Sequence, residues 1–110
     1  MKRVLVPSYP VSIFIAGDAD AAYYPCREYC DRVGLCVTLT ATDYIYQGGF
    51  ERGVIVGLVN YPRFPKEPDA IWSQSETLAA LLCERLGQQS YTIQAPDKTV
   101  WFSHRAEDAA

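Results

Sequence analysis

Leu35-Cys36-Val37-Thr38-Leu39-Thr40-Ala41-Thr42-Asp43-Tyr44-Ile45-Tyr46 alternates with a period of two, and beyond it Val54-Ile55-Val56-Gly57-Leu58-Val59 is apolar on both of its sides. In the first stretch Leu35, Val37, Leu39 and Ala41 share one face, while Cys36, Thr38, Thr40, Thr42, Tyr44 and Tyr46 share the other. That is an edge strand with a polar, aromatic second side. The other run has the unbroken apolarity of a central strand. Between them Gln47-Gly48-Gly49-Phe50-Glu51-Arg52-Gly53 supplies the flexible residues of a hairpin loop longer than two residues.

Toward the N-terminus, Val11-Ser12-Ile13-Phe14-Ile15-Ala16 is a short apolar run with β-branched residues, closed by Gly17, and reads as a buried strand. Asp18 or Asp20 can cap a following helix whose apolar positions Ala22, Cys26, Tyr29, Cys30 and Val33 fall at helical spacing before Gly34. Pro25 predicts either a kink in that helix or a start at Pro25 itself, because an interior proline removes a backbone hydrogen bond.

Toward the C-terminus, the Pro-rich stretch from Asn60 to Pro68 is a connection, with Pro68 suited to the first position of a second helix. Ile71, Ser75, Leu78, Leu82 and Leu86, flanked by Ala79 and Cys83, form that helix's apolar stripe, and Gly87 stops it. Tyr91 to Ala95 reads as a fourth strand. Pro96-Asp97-Lys98 turns the chain so that Thr99 to His104 can return as a fifth, and residues 105–110 read as a frayed tail.

The order β-α-β-β-α-β defines an α+β class and resembles the ferredoxin-like superfold, an antiparallel sheet with two helices on one face. That resemblance implies central first and third strands, edge second and fourth strands, and a fifth strand as an addition. A superfold does not fix a function. The run from Arg27-Glu28-Tyr29-Cys30 through Val33-Gly34-Leu35-Cys36-Val37-Thr38, with Tyr61-Pro62-Arg63-Phe64-Pro65, is also similar to small proteins of bacterial and phage genomes of no known activity. It brings no site residues with it.

Composition sets outer bounds. With 110 residues, 49% hydrophobic and 21% charged, the chain reads as a single domain spanning 1–110 with a real core. A formal charge of −3 and scattered basic residues argue against nucleic acid as the partner, since phosphate neutralisation wants clustered Lys and Arg. Pro7, Ser8, Tyr9 and Pro10 interrupt what would be a leader's apolar segment, and nothing approaches the roughly 18 apolar residues of a membrane span. A cytoplasmic location without a membrane partner is expected.

With helices on one face only, the open sheet face receives Phe14, Tyr44 and Tyr46, and a surface too apolar for water is expected to be covered by a second copy. Ile13-Phe14-Ile15-Ala16 resembles the RNP2 signature of RNA-recognition motifs, and Arg52-Gly53 opens like RNP1. Val54 and Val56, however, stand where RNP1 has its stacking aromatics. Of the four cysteines, Cys26 and Cys30 are four apart on one helix face; without paired C-x-x-C knuckles they read as core rather than metal ligands, with a thiol pair as the alternative. No metal and no cofactor is expected.

Topology sorts the loops into two ends. One carries Tyr46 and Arg52 near the start of the first helix, which favours anions; the other carries Tyr61, Arg63, Phe64 and Lys98 near the start of the second. The expectation is therefore a non-catalytic module, a homodimer packed through its open sheet face, binding a small anionic ligand or a protein through Tyr46, Arg52, Tyr61 and Arg63. The alternatives are a small acid-base enzyme of the dimeric α+β barrel type, working through His104, Asp43 or a tyrosine, and a phage-type protein that sequesters a host molecule.

Overall fold

The computed structural model describes residues 1–109. Residues 1–10 carry no regular structure, and the first strand, β1, is Val11–Ala16. Its odd-numbered side chains are buried and its even-numbered ones only partly so, which gives the sheet one core face and one open face. Gly17 then turns the chain with φ +135°, and helix α1, Ala19–Val33, begins under an Asp18 cap whose carboxylate accepts from the Ala21 N–H at 3.0 Å. Pro25 sits inside α1 without ending it. The helix starts at Ala19, six residues before Pro25, so the expectation of a start at Pro25 is corrected. The proline is buried, and its packing against the core accompanies the missing backbone bond. Gly34 closes α1 in the left-handed conformation, φ +70°, with its N–H on the Cys30 carbonyl.

Strands β2, Val37–Tyr46, and β3, Gly49–Leu58, form a longer hairpin than the expected loop allowed. Tyr46 pairs with Gly49, so only Gln47 and Gly48 turn, and Gly48 takes the positive φ (+87°) that such a turn requires. The glycines and charges of 47–53 read as a loop. Instead, cross-strand pairs Asp43–Arg52, Tyr44–Glu51 and Ile45–Phe50 extend the ladder past the end of the helical layer. Ile45 (83%) and Phe50 (62%) are consequently left exposed.

Helix α2, Pro68–Arg85, has Pro68 at its first position and buries Ile71, Ser75, Leu78, Ala79, Leu82 and Cys83; of the stripe expected from spacing, Leu86 lies just past the helix end as a half-buried C-cap. Strands β4, Ser90–Gln94, and β5, Thr99–Ser103, pair as a hairpin, and a 3₁₀ turn, Ala106–Asp108, follows where a frayed tail was expected. The sheet order is β2-β3-β1-β4-β5, with every neighbouring pair antiparallel. This is the ferredoxin-like arrangement with one added C-terminal strand, and β5 pairs within its own chain. The core lies between the sheet and the two helices, centred on Ile13, Ile15, Val54, Val56, Leu58, Leu78, Leu82 and Ile93.

The open face is less apolar than expected. Strand parity places Ser12, Thr38, Thr40, Thr42, Thr92 and Ser103 there, around Phe14, Tyr44, Ile55 and Trp101. Threonine supplies a β-former whose hydroxyl faces water, so apolarity by itself does not demand a cover.

Candidate functional site

The open face carries a groove of about 240 Å³ whose lining includes Phe14, Tyr44, Glu51, Thr92, Trp101 and Arg105. Register explains the convergence. Phe14 pairs with Thr92 and Thr92 with Trp101, so these three make one row across β1, β4 and β5. Tyr44 and Glu51 face each other across the β2–β3 hairpin and stand on the other side. Arg105 closes the end, on the segment that leaves β5.

Tyr44 is locked in place. Its hydroxyl accepts the Ile15 N–H at 3.1 Å and donates to the Val54 carbonyl, bridging β1 and β3 where those residues are paired. The ring can lie down because Gly53 has no side chain: a Cβ there would stand against the ring and 2.5 Å from the Ile15 carbonyl oxygen. Burial pushes the phenol's pKa up, against the pull of the Ile15 N–H, so it stays protonated at neutral pH. With both hydrogen-bonding directions used on backbone, Tyr44 offers a ligand its ring face rather than its proton.

The structure does not bring Tyr46, Arg52, Tyr61 and Arg63 together. Tyr46 is exposed at the hairpin tip. Arg52 lies on the other face of β3, opposite Asp43, in a separate depression of about 270 Å³ at the start of α1. Asp18 and Asp43 line that depression too, and their two carboxylates offset the anion preference of one guanidinium and a helix N-terminus. At the far end Tyr61 stacks on Phe64, ring centroids 5.5 Å apart, and accepts the Cys36 thiol at 3.2 Å, while Arg63 is exposed. His104 lies exposed just past β5 and Asp43 is exposed on β2, strands at opposite edges of the sheet, so neither of these candidates for acid-base work stands in an enclosed site within the chain.

Cys26 and Cys83 are buried as core residues, Cys30 is half-buried and Cys36 is exposed. Cys26, Cys30 and Cys36 line one crevice between α1 and β2. Among the described residues no group of three His, Cys, Asp or Glu side chains could hold a metal ion, and no helix is long and apolar enough to cross a membrane. Phe14 lies on the open face, as expected with helices on one side only, while Val54 and Val56 are wholly buried on the other.

Glu51, Trp101 and Arg105 escaped the sequence reading. A parity signal existed for Trp101, which alternates with the core-facing Val100 and Phe102. Glu51 sits in a stretch with loop chemistry and Arg105 beyond the last alternating run, so the local sequence gives neither a face.

Neither a family model nor a curated protein matches the chain. Solved structures do. One, a phage SAM lyase in the apo state, is 14% identical, covers 94% of each chain and superposes with a TM-score of 0.74. Another, a phage SAM lyase in complex with S-methyl-5′-thioadenosine, is 13% identical, covers 100% of this chain and 98% of its own, with a TM-score of 0.64. The protein shares its fold with these enzymes. The expectation of a non-catalytic binding module is thereby overturned, because structures that match over nearly the whole length are those of a lyase. The likeness to phage proteins holds, but the neighbours have an activity where none was expected.

Proposed function

We propose that this protein is a lyase that breaks S-adenosylmethionine at a carbon–sulfur bond and releases S-methyl-5′-thioadenosine, using the open-face groove. The observation that carries this reading is the near-complete fold match to phage SAM lyase, including a complex with that thioadenosine. The lining residues of the groove support it: they combine aromatic faces, one carboxylate and one guanidinium, the partners required by a nucleoside bearing a sulfonium and an amino acid.

The chemistry asks little of the protein. The bond's electron pair goes to sulfur, which leaves as a neutral thioether, while an oxygen of the ligand's own carboxylate closes on the carbon that sulfur leaves, so the four-carbon amino-acid fragment departs as a lactone without added water. Positive charge on sulfur disperses as the bond breaks, so transfer out of water favours the transition state over the sulfonium ground state. Trp101 and Phe14 give the adenine a stacking surface. The Tyr44 ring, held still by its fixed hydroxyl, forms an apolar wall that keeps water from the sulfonium. Glu51 accepts from ribose hydroxyls. A carboxylate placed directly on the sulfonium would stabilise the ground state more than the transition state.

A groove of about 240 Å³ falls below the roughly 300–1,000 Å³ of a closed small-molecule site, so the open face presents one wall of the site. A second copy laid over that face supplies the other wall and excludes water.

Incubating the full chain with S-adenosylmethionine and following S-methyl-5′-thioadenosine by mass spectrometry tests the reading. Accumulation that Glu51→Gln slows mainly through a raised KM, by about tenfold or more, is the expected outcome. Unchanged substrate after long incubation with folded protein would sink it.

A further inference from the structure

Arg105 is the one cation among the described residues that line the groove, and it stands on the segment leaving β5. Its surroundings are built rather than frayed. Its backbone N–H donates to Ser103 Oγ at 3.2 Å, and Ser103 Oγ donates to Asp108 Oδ2 at 2.6 Å. The His104 N–H reaches the Gln89 carbonyl at 2.7 Å, which ties the same segment back to the turn before β4. Asp108 is thus held mainly by Ser103. Its contact with Arg105 is loose, Nη1 to Oδ2 at 4.0 Å, and the Arg105 side chain remains 40% exposed. The guanidinium is placed at the groove with its donors still free for a planar acceptor.

We propose that Arg105 is the specificity-determining residue of the site, taking the carboxylate at the amino-acid end of the ligand, with Asp108 holding the guanidinium in the neighbourhood until the ligand arrives. The inference rests on the reading of the preceding subsection and adds a consequence to it. A ligand with an α-carboxylate is gripped at both ends, by the aromatic row at its nucleoside and by Arg105 at its acid. S-methyl-5′-thioadenosine has no carboxylate, loses the second grip and leaves. Selectivity for the intact amino-acid end, and release of the product, then follow from one charge pair.

Two unreactive probes separate the parts: S-adenosylhomocysteine, which keeps the amino-acid end on a neutral thioether, and S-methyl-5′-thioadenosine, which lacks it. Calorimetric titration of the full chain is expected to show Arg105→Gln weakening S-adenosylhomocysteine by about 10- to 100-fold while the thioadenosine affinity stays within about twofold. Arg105→Lys is expected to restore part of the loss, since charge is kept while the bidentate fork is not. Equal losses for both probes, or none for either, would overturn the role of Arg105 and leave the lyase reading standing. Failure of the native chain to bind either probe would overturn both. Thermal melts of the two variants, expected within a few degrees of the native chain because the side chain is partly exposed, check that the comparison is made on folded protein.

Discussion

Cys26 shows how a single buried group writes itself into stability. It lies on the core face of α1, 5% exposed, and burial, followed by the nearby Cys30, pushes its thiol from the ordinary 9.0 up to about 11. The unfolded chain therefore releases this proton first as pH rises. Stability contributed by the neutral thiol is complete below pH 9.0 and is lost as pH climbs toward about 11, at about 1.4 kcal/mol per unit within that window. Cys30 and Tyr91, also raised chiefly by burial, act in the same direction. Urea midpoints measured from pH 8 to 11 are expected to fall steeply for the native chain and less steeply for Cys26→Ala. Parallel curves would show that the thiol is not the source.

At the scale of elements, the β2–β3 hairpin does the most to shape the site. It carries Tyr44 and Glu51 opposite each other and lays the tyrosine across Gly53 onto the β1–β3 ladder. Gly53→Ala places a methyl group against that ring and 2.5 Å from the Ile15 carbonyl oxygen, so either the ring or the strand must move. A loss of about 1–3 kcal/mol is expected in denaturant unfolding, together with weaker binding of S-methyl-5′-thioadenosine, because the platform shifts with the ring. An alanine variant as stable as the native chain would mean that Tyr44 has an alternative seat. The same hairpin reaches further than its local sequence indicates. Gly48, Gly49, Glu51 and Arg52 carry loop chemistry, and only cross-strand pairing, a non-local effect, extends the ladder through them. The helix ends were legible where a cap, an apolar stripe and a stop glycine act locally, as Asp18 and Gly34 do for α1, and ambiguous only at Pro25, whose burial inside the helix is a tertiary effect.

For the molecule as a whole, the open sheet face is the unfinished part. Its threonines and serines do not require burial, but the groove they surround has one wall, and a second copy is proposed as the other. Native mass spectrometry of the 12.3 kDa chain at micromolar concentration is expected to show twice the chain mass. A monomer at all accessible concentrations would remove the second wall and require the site to work open to water. The four residues first expected to bind a ligand show the same dependence on assembly of the fold. Arg52 and Tyr61 each have chemistry suited to recognition and were expected at opposite ends; what the fold adds is strand parity, which turns Arg52 away from the open face and sets it beside Asp18 and Asp43.

The sequence by itself determined the α+β class, the order of elements, the two helices and most of their buried stripes, and the apolar central strands; Val33, expected in the α1 stripe, is exposed. Each of these rests on periodicity and on caps or breakers within a few residues of one another. Only the tertiary structure decided the reach of the β2–β3 hairpin, the hydroxyl-rich character of the open face, and the meeting of Phe14, Tyr44, Glu51, Trp101 and Arg105. Those five residues come from four strands and a tail. Their proximity is set by register across the sheet, which depends on pairings between distant parts of the chain rather than on any local pattern.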